Sequence, residues 1–133
     1  MDKTLGRLRE PIYTLMRIAV GILFSFHGAQ KLFGLFGGHQ QRLISWMGLA
    51  GSIELVCGLL VAVGLFSGIA SLIAALEMLV AYFWAHFPRG PVPIENHGEL
   101  ALLYLFVFLF IAGQGGGRHS LHRVFFHHDD AIE

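Results

Sequence analysis

Several side chains able to exchange protons stand where water is scarce. Arg17, His27, Lys31, Glu54 and Glu77 lie inside long apolar runs, with His86 and Glu99 at the ends of such runs. An ionisable group at the centre of a lipid-buried helix costs about 2.5 to 3.5 kcal/mol even on lenient insertion scales, so it marks either function or a paired structural charge. Lys and His donate hydrogen bonds, Glu relays protons, and His changes charge near neutral pH. The chemistry on offer is therefore proton transfer and hydrogen bonding to a polar group held in an apolar slot. Structural readings stand beside it: Lys31 and Arg17 as snorkelling cations, His86 as an interfacial anchor, and Glu54 bridged to Lys31 purely as a lock.

Helical geometry sorts these residues onto faces. At about 100° per residue, Gly21, Phe24, Gly28 and Lys31 fall within roughly 40° of Arg17, with His27 about 80° to one side. Glu54 shares a face with Gly51, Gly58 and Val61, and Glu77 shares one with Ala70, Ala74, Ala81 and Trp84. Small residues let helices approach closely in lipid, so these stripes are expected to face one another and carry the charges inward. Lys31, His27 and Glu54 are placed in the outer halves of their helices, Glu77 near mid-depth, His86, Asn96 and Glu99 at the outer boundary, and Arg17 near the opposite side.

The elements that position them are membrane spans. With 55% hydrophobic and 14% charged residues and a mean hydropathy of +0.64, the chain expects lipid as its solvent. The reading is a single all-α domain, an integral membrane four-helix bundle. Its helices are expected at about 12–36, 47–66, 69–87 and 98–113, followed by a tail over 114–133. The last span is the shortest, resting on the unbroken apolar stretch from Leu100 to Ala112. Phe66-Ser67-Gly68 is a tight turn, and Pro88 to Pro93 is a non-helical loop. Basic residues on the side of both termini are Lys3, Arg7, Arg9, Arg118 and Arg123, against Arg42 and Arg89 opposite. The positive-inside rule then places both termini in the cytoplasm.

Other classes are disfavoured. Nine basic residues balance nine acidic ones without a basic cluster, so no nucleic-acid partner is expected. Cys57 is the lone cysteine, which excludes paired-thiol oxidation chemistry. His27 is the one histidine well inside a span, so no haem is expected. The tail residues His119, His122, His127, His128, Asp129 and Asp130 lack the spacing of a closed metal site, so no metal is expected and the tail reads as solvated.

Three segments in order resemble the DoxX family of small bacterial membrane proteins. They are RIAVGILFSFHGAQKLFG (Arg17 to Gly34), IELVCGLLVAVGLFSGIAS (Ile53 to Ser71) and ENHGELALLYLFVFLFIAGQGGGRHSLH (Glu95 to His122). The most telling parts are His27, Gly28 and Lys31 as His-Gly-x-x-Lys, Glu54 ahead of a GLF turn, and Asn96, Gly98 and Glu99 before the last helix. The resemblance implies a four-helix bundle in the bacterial inner membrane. In some relatives that bundle is linked to thiosulfate:quinone oxidoreductase as a membrane subunit, and in others to redox-stress complexes. The short loop between the first two spans departs from larger members of the family.

The function expected is that of a membrane subunit in a quinone-linked oxidoreductase system. His27 and Lys31 would donate to the quinone and Glu54 would relay protons. Phe24, Phe26, Phe33 and Trp84 would wall the slot, with Arg17, Glu77, Asn96 and Glu99 completing the polar lining. Electrons would come from a protein partner, since the sequence shows no carrier of its own. The alternative is a non-enzymatic membrane scaffold or assembly subunit of a larger complex, and a proton channel or transporter comes third. Beyond the lipid bilayer, a protein partner or a homo-oligomer is expected.

Overall fold

The computed structural model describes residues 3–126 of the chain, and these form helices and turns without a strand. In order they are α1 (Lys3–Arg7), α2 (Arg9–Phe33), α3 (Trp46–Val63), α4 (Ser67–Ala81), α5 (Pro93–Asn96), α6 (Glu99–Gln114) and α7 (Leu121–Phe125). From Ala81 the chain continues through a π-helical turn, Tyr82–His86, and a 3-10 turn, Phe87–Arg89. Three helical stretches, Arg9–Phe33, Trp46–Val63 and Ser67–Arg89, are long and apolar enough to cross a membrane, and Glu99–Gln114 is a shorter apolar helix. The protein is an all-α, multi-pass membrane four-helix bundle.

Glycine sets where two of the spans stop. Gly34 adopts φ 68°, and its N–H bonds Gln30 O at 3.0 Å, so α2 ends at Phe33 rather than Phe36. Gly64, at φ 76°, closes α3 at Val63 with N–H bonds to Leu60 O and Val61 O. A left-handed residue at this position is the usual way to satisfy the last carbonyls of a helix. At the other end of α3, Ser45 caps by accepting from Gly48 N at 3.0 Å.

Helix α2 lies along α3, α3 along α4, and α4 along α6. The α2–α3 contact runs backbone to backbone. A Cβ at Gly21 would meet Gly58 O and Ala62 N, and one at Gly58 would meet Gly21 O and Ser25 N. At Gly28 a Cβ would collide with Leu55 N and Gly51 O. Glycines seven residues apart on each helix thus form one seam, and the close approach expected of the small-residue stripes is present. Between α2 and α6 the filling is aromatic: Phe24 packs on Tyr104 and Phe108 at centroid distances of 5.2 and 4.6 Å.

Sixteen residues give α6 a length of about 24 Å, short of a hydrocarbon core of about 30 Å. The connection before it is folded rather than open. Fully buried Asn96 donates to Gly90 O at 2.8 Å and to the Tyr82 hydroxyl at 3.2 Å, and its Oδ1 accepts from Gly98 N at 2.8 Å. His86 Nδ1 lies 3.2 Å from Asn96 O. Non-helical backbone at membrane depth is tolerated where its polar groups are satisfied in this way.

The segment after α6 differs from the solvated tail expected. Tyr13 donates to Gly115 O at 2.6 Å, and His122 N bonds Gly64 O at 3.0 Å. His122 is 1% exposed, with its ring against Phe66 and Phe126. Residues 115–126 therefore fold back under the bundle, because they supply partners to groups that the ends of α2 and α3 leave open. His127, His128, Asp129 and Asp130 lie outside the described residues.

Candidate functional site

The glycine seam delivers the charges. Gly51 has no side chain, and the space a Cβ would fill there is bounded by Lys31 Cβ at 2.9 Å. The Lys31 stem crosses α3 at that point, and its ammonium reaches Glu54 one turn further along. Lys31 Nζ lies 2.6 Å from Glu54 Oε1 and 2.7 Å from Oε2, so it holds both carboxylate oxygens. Glu54 is 2% exposed and Lys31 21%. The carboxylate is sealed inside the bundle while the amine keeps one side toward the surroundings.

Glu77 brings a second acid from α4, close enough to interact with both the Glu54 carboxyl and the Lys31 ammonium. Its Oε2 is buried, and among the described residues no donor reaches it. Two further groups adjoin this cluster. The Cys57 thiol, one turn beyond Glu54 on α3, lies within the field of Glu77, and the Tyr104 phenol of α6 lies within that of Glu54. His27, half-buried on α2, sets its ring edge-on to Tyr104 at 5.9 Å. Lys31 of α2, Glu54 of α3 and Glu77 of α4 thus share one polar centre, with Tyr104 of α6 within the field of Glu54.

Other residues singled out in the sequence stand elsewhere. Arg17, 1% exposed, occupies the opposite end of α2. Its Nη1 donates to Val61 O at 2.9 Å and Ala62 O at 3.2 Å, and its Nη2 to His119 O at 3.0 Å. A guanidinium over the final carbonyls of α3 satisfies acceptors the helix cannot, and complements the negative end of the helix dipole. Phe24 is fully buried in the core. Glu99 is exposed in the first turn of α6, and Asn96 is committed to its loop.

Trp84 leaves the face assigned to it. It is 60% exposed and meets Trp46 edge-on at 5.8 Å, away from Glu77. The π-helical turn is the reason, since it widens the winding after Ala81 and breaks the 100° step that placed Trp84 with Ala70 and Ala74. Tyr82 turns inward in its stead, to 5% exposure. Phe26 and Phe33 are also exposed, at 46% and 58%, on the lipid side of α2. The sequence marks Cys57 only as a lone thiol and does not single out Tyr104. An unbroken apolar run around Tyr104 offers no periodicity to mark a buried face, although a phenol within such a run is itself a signal that a partner is needed.

Four apolar helices around a largely buried centre of Lys31, Glu54 and Glu77 define a multi-pass membrane protein of the small-bundle type. The DoxX family profile matches residues 12–87. A protein of Haemophilus influenzae described as an uncharacterized protein is 36% identical over 129 residues, covering 92% of this chain and 96% of its own length. No solved structure matches the chain. The chain belongs to the DoxX family.

Proposed function

We propose that this protein is the proton-handling membrane subunit of a quinone-linked oxidoreductase system in a bacterial inner membrane. The observation that carries the reading is the cluster of half-buried Lys31 and Glu77 around the sealed Glu54, with Tyr104 and His27 beside it. With both carboxyls ionised, the cluster would hold one negative charge too many for lipid. A proton lodged between the two carboxyl oxygens balances it, and a proton so held is available for transfer. A quinone taking two electrons from a partner protein also needs two protons. His27 and Lys31, partly open on α2, are the donors nearest to lipid, and Glu54 and Glu77 are the reservoir behind them. Arg17, Asn96, Glu99 and Trp84 lie away from this centre and take no part in the proton path.

The test is photolabelling of the purified protein in nanodiscs with a photoreactive quinone analogue. Labelling is expected around His27 and Tyr104, to be competed by unlabelled quinone and to weaken in His27→Gln. Failure to label, or labelling confined to lipid-facing residues without competition, removes quinone from the reading. In a complex whose quinone dependence is established, His27→Gln is expected to cut turnover at least about tenfold, the low side of what a positioned acid or base contributes.

One observation favours the scaffold reading. Both oxygens of Glu54 are taken by Lys31, directly above glycines packed against backbone, which is the arrangement of a register lock. Normal quinone turnover in His27→Gln and Glu77→Gln would move the assignment to that role.

A further inference from the structure

The end of the bundle opposite the polar centre carries a second assembly of cations that the proton-handling reading does not use. A shallow, open recess of about 640 Å³ lies there, lined by Val63, Arg118, His119, Ser120, Leu121, Arg123 and Val124. Arg118 and Arg123 are exposed, and among the described residues neither guanidinium has a hydrogen-bond or ion-pair partner. The other wall is apolar. Val63 is the last residue of a spanning helix, while Val124 and the adjoining Phe125 are 61% and 64% exposed. Glu10, whose carboxyl lies by Gly117, is not among the lining residues.

The walls are held in place. Arg17 grips His119 O, His122 N bonds Gly64 O, and Ser120 donates to Gly117 O at 3.0 Å while capping α7 at Arg123 N. The two arginines therefore project from a braced segment at the level where α3 leaves the hydrocarbon. Paired guanidinia favour phosphate oxygens, since Arg presents a planar fork of donors. An apolar strip beside them suits the upper part of an acyl chain. Both features at one membrane boundary fit one kind of molecule.

We propose that this open recess binds the phosphate headgroup of an anionic phospholipid from the surrounding leaflet, with Arg118 and Arg123 on the phosphate and Val63, Leu121 and Val124 against the start of the acyl chain. The ligand is a bilayer component rather than a soluble anion, because the apolar strip has no use for free phosphate. Basic residues near a membrane surface attract anionic lipid generally. A site differs from that background in depending on particular arginines.

The experiment is native mass spectrometry of the full-length protein released from vesicles holding phosphatidylglycerol and phosphatidylcholine in equal amounts. One phosphatidylglycerol is expected to stay bound through detergent exchange. The double variant Arg118→Ala/Arg123→Ala is expected to lower that retention at least about tenfold with the melting temperature unchanged, since both side chains are exposed. Arg7→Ala/Arg9→Ala, which removes the same charge from the same end, is expected to leave retention as it was. Equal loss in both double variants, equal retention of phosphatidylcholine, or displacement by millimolar inorganic phosphate would each overturn the proposal.

Discussion

Lys31 and Glu54 form a two-oxygen ion pair, at 2.6 and 2.7 Å, across the glycine seam between α2 and α3. The pair is asymmetric, because the acid is sealed and the amine is not. Removing Lys31 strands a buried carboxylate, whereas removing Glu54 leaves an amine that can turn outward.

Lys31→Met is therefore expected to destabilise the protein more than Glu54→Gln does. Breaking a fully buried pair costs on the order of 3 kcal/mol, and less where one partner reaches solvent. The double variant should recover at least about 1 kcal/mol against the sum of the single losses. Thermal melting in detergent reads this cycle, and strict additivity would show that the two side chains do not act together.

The glycine seam makes a sharper claim about space. Gly28→Ala and Gly58→Ala push a methyl group into opposing backbone, which cannot rotate away as a side chain would. Each is expected to cost about 3 kcal/mol or more, beyond ordinary overpacking. At Gly113 a Cβ meets nothing within 4 Å, so Gly113→Ala should be neutral or gain up to about 1 kcal/mol from helix propensity. Melting temperatures that fall equally for all three variants would contradict the packing described.

Arg17 joins two parts of the chain far apart in sequence. Arg17→Lys keeps the charge but loses the fork that spans Val61, Ala62 and His119, so it should not rescue the defect of Arg17→Met. In both variants residues 115–126 should loosen ahead of the bundle. Trypsin cleavage after Arg118 and Arg123 is expected to accelerate at least about tenfold, following the local opening equilibrium. Unchanged digestion would mean the segment is held without Arg17.

The orientation expected from the distribution of basic residues is open to direct labelling. In a Cys57→Ala background, His39→Cys should react with a membrane-impermeant thiol reagent applied to intact spheroplasts. His119→Cys should react only after permeabilisation. Both positions are exposed, whereas Ser120, at 5%, is too buried to serve. Reversed labelling would invert the protein and move the proposed lipid site to the outer leaflet.

How far the sequence could be read depended on regular winding. Along α2 and α3 the 3.6-residue period runs unbroken, and the facing of Gly21 and Gly28 against Gly51 and Gly58, like the meeting of Lys31 with Glu54, follows from spacing alone. Beyond Ala81 the period changes within one π turn, and Trp84 departs from its assigned face. Nothing in YFWAH announces that change, and the Tyr82–Asn96–Gly90 bonding that accompanies it is supplied by the following loop.

The fold-back of residues 115–126 was hidden for a different reason. Its polar anchors are backbone carbonyls that accept from Arg17 and Tyr13 and a backbone N–H that donates to Gly64 O. These hydrogen bonds use no side chain of the segment itself, whose buried His122 ring packs on Phe66. A run of glycines followed by polar residues therefore reads as solvent-bound from sequence, even where its main chain is anchored.

The Arg17 strap also bears on the order in which the chain is made. Domains synthesised from the N-terminus fold as their parts emerge, and the Lys31–Glu54 pair is complete once α2 and α3 are in the bilayer. Glu54 thus has its counter-ion before α4 or α6 exists. Arg17 has two of its carbonyl partners at that same stage, but His119 arrives only after α6 is complete. A residue near the start of the chain thus waits for one made after the whole bundle, and a nascent chain stopped before residue 119 would be inserted and charge-paired but unlatched.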